Sequence, residues 1–386
     1  VRQRSVLFHI SQLNVGGAER SSVRMINSLI QRNWKVTVVV EVGGGSLESG
    51  LAPEVELVAI RKKLRGVEFK AEKNFFRKIF LFPQVVFYLY DSIFSYLKKR
   101  EFSRREYDAA CILLMGTKPL FVCKYVKAIK KFHWIRNDLK QTPNAMKIQN
   151  SVNTWWCYID KYICVSKTAE RSLIDLCPQV EFKTHVVYNI LNAGEMREKS
   201  LKKASISFSS ETINLLSVCR LKDSAKAIFR MVEVCSILRD RGFEFKWYVI
   251  GDGPDRKALE VLIHKSHLED CMILLGLKEN PFPYYRMADV VAMLSYHEGL
   301  CGVINEAKVM KKAVVATKVS GVYEQLIDRQ TGLIVDQEVS AIVEGLAELI
   351  SDSELRTRLA ESGYPTSILE DEHKITSLEA LFDKEQ

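Results

Sequence analysis

Three times in this chain an apolar run of strand length empties into a glycine-bearing turn and then into a helical segment. VLFHI leads into NVGG and AERSSVRMINSLI, FKWYVI into GDGPD and RKALEVLI, and VVAML into HEGLCG and VINEA. Val23, Ile26 and Ile30 share one face of the first helical segment, and a strand over 35–40 follows it. Strand, turn, helix, strand is the opening of a doubly wound parallel sheet. Further strands are expected near Leu57, 110–114, 132–135 and 162–165, and after 186–187 the stretch YNILNAG reads as a joint. The second half repeats the logic, with strands at 215–218, 245–250, 272–275, 290–294, 313–316 and 332–335 and helices at 228–239, 339–350 and 354–361. The 386 residues exceed one ordinary core and suit two domains. The expected fold class is therefore α/β, with two doubly wound Rossmann-like parallel-sheet domains facing across a cleft. The expected boundaries are 1–188 and 189–365, with a terminal helix in 366–386 packing back toward the first domain.

Nine cysteines, an odd number scattered through apolar runs such as AACILLM, read as buried reduced thiols and point to a cytoplasmic chain. They form no Cys-x-x-Cys pair and do not cluster with the seven histidines, so no metal site is expected. VRQRSVLFHI runs into a strand and not into the apolar core of a signal peptide, and no uncharged stretch is long enough to span a bilayer. The net charge of +9 is concentrated: between Arg61 and Glu106 thirteen Lys/Arg face five Asp/Glu, interleaved with FFRKIFLF and VVFYLYDSIFSYLKK. Residues 61–106 thus suit peripheral contact with anionic membrane on the inner face of the cell membrane. They suit equally a helical subdomain whose aromatics are core. Nucleic acid is not expected as a partner, because no recognised binding module accompanies the charge.

The third turn carries the most chemistry. Glu298 stands in the loop after VVAML, and Glu306 lies about one turn inside the helix that begins at Gly302. The first N–H groups of that helix, around Gly302, Val303 and Ile304, lack internal partners and suit a phosphate oxygen. Acids suit hydroxyls, so the implied ligand is a diphosphate flanked by polyols. Cations for it are available in Arg220 and Lys226, which follow the strand LLSV. Each residue has a plainer reading: a glutamate at a helix amino end, a solvated carboxylate, a surface ion pair. Asn14, Gly16 and Gly17 offer a second backbone surface. NVGG is not GxGxxG, and no suitable acid to grip a ribose is read at the end of the following strand, which argues against a nicotinamide cofactor.

These segments together resemble the family-four retaining glycosyltransferases of the two-domain GT-B fold, of the kind that build capsule, exopolysaccharide or lipopolysaccharide. HEGLCGVINEA resembles the Glu-x7-Glu signature, VVATKVSGVYEQLID and TGLIVD the segment after it, VIGDGPDRKALE the strand and turn before it, and NVGGAER the amino-terminal glycine loop. The resemblance implies an acceptor-binding first domain and a donor-binding second one. It implies Glu306 on the nucleotide ribose, Glu298 beside the donor sugar, Arg220 and Lys226 on the diphosphate, Gly16 and Gly17 close to donor phosphate or sugar, and backbone of Val303 and Ile304 at the phosphates. It implies a nucleotide-sugar donor, UDP-linked in many relatives, a saccharide or lipid-linked saccharide acceptor, and no metal ion or other cofactor. The reaction would retain the anomeric configuration through front-face attack.

Three departures stand out. Cys219-Arg220-Leu221 replaces Gly-Arg-Leu, with Lys226 one residue late and Ala227 in place of glycine. FHWIRNDL offers Arg136 where related enzymes have histidine, so Arg136 takes a phosphate or sugar contact or the loop is rearranged, while His133 reads equally as a core residue. Lys318 and Cys301 stand where Asp and Gly or Pro are usual. A degenerate, non-catalytic relative that binds a sugar nucleotide or a partner protein is the alternative these departures leave open.

Overall fold

The computed structural model describes residues 2–14, 16–61, 93–142, 144–363 and 365–383. By its internal contacts the chain divides into two units, one of Val1–Val165, Ala169–Ile190 and Glu372–Gln386, the other of Ser166–Thr168 and Leu191–Asp371.

In the first unit β1 (Ser5–Ile10), β2 (Lys35–Val42), β3 (Glu56–Arg61), β4 (Glu106–Ile112), β5 (Lys127–Ile135), β6 (Lys161–Cys164) and β7 (Thr184–Val186) form a parallel sheet in the order β3-β2-β1-β4-β5-β6-β7. The chain winds outward from β1 to β3, then returns to the other side of β1 and continues to β7. Its topological reversal lies between β1 and β4, where β1 reads as a continuous apolar strand because it is buried along its whole length. The helix Asp371–Phe382 completes this unit's core. Phe382 packs its ring at 5.0 Å from Phe132, 5.7 Å from Trp34 and 6.5 Å from Phe8, a burial that contributes about 1.5–3 kcal/mol. Trp34 Nε1 and Arg4 Nη2 both donate to Glu379 Oε1 at 2.7 Å, which fixes the rotation of that helix.

In the second unit β8 (Ile213–Val218), β9 (Phe245–Ile250), β10 (Met272–Gly276), β11 (Val290–Met293), β12 (Ala313–Thr317) and β13 (Leu333–Val335) form a parallel sheet in the order β10-β9-β8-β11-β12-β13. Its reversal lies between β8 and β11. Crossover helices reach opposite faces on the two sides of such a point, which leaves a crevice at the carboxyl ends of the two strands. The two doubly wound sheets expected from the sequence are both present, the architecture of the GT-B fold.

Most of the basic, aromatic stretch at 61–106 falls outside the described residues, at 62–92. Residues 93–101 are helical and leave Ile93, Phe94, Tyr96 and Leu97 exposed. Two of its lysines are engaged within the unit: Lys98 Nζ donates to Ala59 O at 2.9 Å, and Lys99 Nζ pairs with Glu41 at 2.7 Å. Among the described residues no helix is long and apolar enough to cross a membrane.

Candidate functional site

Of the second-unit residues predicted from the sequence, the structure brings Lys226 and Glu298 together, on the segments that follow β8 and β11. Beyond β8 the chain runs through Cys219, Arg220 and Leu221 into the short helix Asp223–Lys226. This loop is built on the turn that follows β9. Cys219 N–H donates to Ile250 O at 2.9 Å, Leu221 N–H to Asp252 O at 3.0 Å, and Asp255 N–H back to Leu221 O at 3.1 Å. Asp255 Oδ2 accepts Asp223 N–H at 2.8 Å. The two glycines of GDGPD serve this packing. Gly251 sits at φ 148°, and a Cβ there would lie 1.8 Å from Cys219 O; a Cβ at Gly253 would lie 2.3 Å from Leu221 O. Ala227, which ends the short helix, adopts the left-handed conformation (φ 52°) that a glycine takes at lower cost.

Lys226 meets Glu298 across the crevice: the ammonium forms an ion pair with Glu298 Oε1, which also accepts the Ser295 hydroxyl at 3.0 Å. Both side chains are largely buried, at 24% and 16% exposure. Burial opposes the lysine's charge, yet the Glu298 carboxylate outweighs it and raises the Lys226 pKa above its ordinary value. Arg220 is exposed, and among the described residues no ion pair or side-chain hydrogen bond engages its guanidinium. Cys219 is partly buried, and desolvation pushes its thiol up to about 11, which keeps it neutral beside this ion pair.

Glu306 lies inside the helix Gly302–Val309, 9% exposed, with Tyr285 Oη donating to its Oε2 at 3.0 Å. The helix has no side-chain cap hydrogen bond. A Cβ at Gly302 would meet nothing within 4 Å, so there is open space at this helix end. Burial raises the pKa of Cys301, the residue before the helix, against the opposing influence of the Val303 and Ile304 N–H groups. Gly302, Val303, Ile304 and Glu306 thus share one helix, while Glu298, Lys226 and Arg220 stand on the two loops at the sheet's reversal.

In the first unit Gly16 is extended (φ −167°) and precedes the helix Gly17–Gln31. The Glu19 carboxylate folds back over it, so that a Cβ at Gly16 would lie 2.2 Å from Glu19 Oε2. Arg136 is 8% exposed and ties three segments together: Nε donates to Leu113 O at 2.8 Å, Nη1 to Asn189 Oδ1 at 3.2 Å and Nη2 to Ser22 Oγ at 2.9 Å. Burial lowers its pKa to about 10, against the opposing field of Glu19, so it stays charged at neutral pH. His133 lies in the core, neutral, with its pKa held at about 4 by burial. The acid at the end of β2, Glu41, is taken up within the unit: it accepts from His9 Nε2 at 3.0 Å and Lys99 Nζ at 2.7 Å. Its carboxyl is held near pKa 2, since these two partners outweigh burial.

Sequence reasoning passed over Ser295, Tyr285, Gln325 and Glu19. Ser295 and Glu19 had a usable signal, standing within three residues of a predicted site residue. Tyr285 and Gln325 reach the site from other elements, which spacing along the chain does not reveal.

Residues 198–366 match the model of the family described as glycosyl transferases group 1. The lipopolysaccharide core biosynthesis glycosyltransferase LpsE of Rhizobium meliloti (strain 1021) is 24% identical over 354 residues, covering 92% of this chain and 91% of the relative. The alpha-D-kanosaminyltransferase of Streptomyces kanamyceticus is 31% identical over 143 residues, 36% of this chain and 37% of its own length. In fold, the chain is similar to Anabaena HepE, solved in complex with UDP and glucose, with a TM-score of 0.72 at 15% identity over 98% of this chain and 99% of that one. WaaG, a glycosyltransferase involved in lipopolysaccharide biosynthesis, gives a TM-score of 0.62 at 14% identity over 98% and 100%.

Proposed function

We infer that this chain is a glycosyltransferase that moves a sugar from a UDP-sugar to a saccharide or lipid-linked saccharide acceptor in surface polysaccharide biosynthesis. The observation that carries the reading is the convergence at the reversal of the second sheet. The turn and short helix after β8 supply Arg220 and Lys226, the loop after β11 supplies Glu298, and the helix that follows supplies Glu306 and its amino-end N–H groups. Cations and N–H groups match a diphosphate, and carboxylates match the hydroxyls on either side of it. LpsE, alike at nearly full length, supports sugar transfer in lipopolysaccharide biosynthesis, and HepE, solved with UDP and glucose, supports a UDP-sugar donor.

In this reading Glu306, steadied by Tyr285, accepts from the ribose hydroxyls. Glu298, held between Lys226 and Ser295, faces the donor sugar. As the bond from the anomeric carbon to the diphosphate breaks, negative charge grows on the leaving oxygen, and Lys226 with Arg220 offsets it. Attack from the same face, with the leaving phosphate oxygen taking the acceptor's proton, would retain the configuration. Backbone of Gly16 and Gly17 would pass close to donor phosphate or sugar, and Arg136 would act by holding Ser22 and Asn189 in place.

Turnover of a radiolabelled UDP-sugar panel with membrane extract as acceptor tests the reading. Glu306→Ala is expected to raise the donor KM by about 10- to 100-fold, the loss of one or two hydrogen bonds to a charged acceptor, with a smaller fall in kcat. No turnover by the wild type on any donor, with UDP still bound, would identify a binding protein instead of an enzyme.

The basic stretch at 61–106 extends the proposal to peripheral contact with anionic membrane. Its described part presents Phe94 and Leu97 to solvent, and these are better test positions than Lys98 and Lys99, whose ammonium groups bond within the unit. Phe94→Ser/Leu97→Ser is expected to lower cosedimentation with anionic vesicles several-fold. Equal sedimentation of variant and wild type would remove this part.

A further inference from the structure

The loop that presents Glu298 is shaped from outside itself. Ser295 O accepts from Thr317 Oγ1 at 2.7 Å and from Gln337 Nε2 at 3.3 Å, and Tyr296 N–H donates to Ala225 O at 2.9 Å. Gly321, at φ 76°, presses against the loop so closely that a Cβ would lie 2.0 Å from Gly299 O. Four residues later comes the hold with the most specific chemistry. Gln325 is 1% exposed, and its side-chain amide closes on both backbone groups of one residue. Its Oε1 accepts Cys301 N–H at 2.9 Å, and its Nε2 donates to Cys301 O at 2.7 Å and to Asn305 Oδ1. Cys301 is the extended residue (φ −77°, ψ 114°) at which the chain turns into the helix Gly302–Val309.

An apolar side chain would fill the same space. A buried amide that satisfies the N–H and the C=O of a single residue does something more: it fixes the backbone of that residue, because rotation about its φ or its ψ breaks one of the two bonds. The residue it fixes stands between Glu298 and the amino end of the helix Gly302–Val309, the two elements that the donor reading assigns to sugar and phosphate. We propose that Gln325 is a positioning residue for donor binding, acting through Cys301 on the loop of Glu298 and on the helix amino end. The proposal rests on the donor reading above.

Gln325→Glu separates positioning from bulk stability. The introduced carboxylate still accepts Cys301 N–H but turns a negative oxygen toward Cys301 O and Asn305 Oδ1. Protonated, it donates an O–H to Cys301 O and remakes the clamp. Burial pushes such a carboxyl's pKa up, so acidification restores the clamp before the fold is lost. At pH 8 this variant is expected to raise the UDP dissociation constant and the donor KM at least about tenfold, with kcat falling by less than about threefold. At pH 6 both constants move back toward wild type, whose own values change little. Gln325→Ala loses the clamp at every pH, and if it fails to fold, Gln325→Glu carries the test. A lowered melting temperature with donor KM and UDP affinity unchanged in the variants at both pH values would overturn the proposal and leave Gln325 a stability residue. A wild type that binds no UDP would instead overturn the donor reading, and this inference with it.

Discussion

Replacing Lys226 by alanine is expected to lower kcat by about two to three orders of magnitude, the effect of removing one preorganised partner of a charge that grows in the transition state. Two consequences add. In the proposed reaction the leaving diphosphate loses a cation, and Glu298, 16% exposed, loses its ion-pair partner and keeps the Ser295 hydroxyl. An uncompensated carboxylate beside a diphosphate repels it, so the donor KM rises as well. Lys226→Met/Glu298→Gln removes both charges and should bind UDP more tightly than Lys226→Ala while remaining slow. Steady-state kinetics on the wild type, Lys226→Met, Glu298→Gln and Lys226→Met/Glu298→Gln measure the coupling. A Lys226→Ala enzyme within fivefold of wild type in kcat would remove Lys226 from the chemistry.

Gly251→Ala should cost the second unit more than about 4 kcal/mol, enough to unfold most of it. The reason is local and steric: φ of 148° is open only to glycine, and the added methyl would collide with Cys219 O at 1.8 Å. That carbonyl belongs to the loop carrying Arg220, so any relaxation that spares the fold displaces the cation. Gly302→Ala is the matched control, since its Cβ meets nothing within 4 Å. Denaturant unfolding should separate the two variants by several kcal/mol. Equal midpoints would show that the turn after β9 does not brace the loop as described.

Both sheets could be read from the sequence because their central strands are buried on both faces and appear as unbroken apolar runs, as in SVLFHI and VVAM. β5 is longer than the sequence suggested for the opposite reason. Its first half, KAIKK, is polar and partly exposed, and only FHWI carried the signal. The helices Ala145–Trp155 and Lys167–Leu176 lie in polar stretches whose apolar stripe is narrow, and they were not anticipated. At the site, charge type and order along the chain pointed to Lys226, Glu298 and Glu306, because their loops follow strands that are neighbours in the sheet. What stayed hidden were contacts between elements distant in sequence: Tyr285 on Glu306, Gln325 on Cys301, and Arg136 spread over Leu113, Ser22 and Asn189. The glycines of GDGPD were legible as a turn but not as the bed of the Arg220 loop, since nothing local says which carbonyl will lie beneath them.

The central claim is that the carboxyl edge of the second sheet, at β8 and β11, holds the diphosphate of a nucleotide sugar. Isothermal titration of UDP and of uridine against the wild type and Arg220→Ala tests it most directly. Each charge-assisted bond to the diphosphate contributes about 1.5–3 kcal/mol, so UDP should bind the wild type at least about 100-fold more tightly than uridine, and Arg220→Ala should narrow that ratio about tenfold or more. Equal affinities for UDP and uridine, or a ratio untouched by Arg220→Ala, would contradict the account.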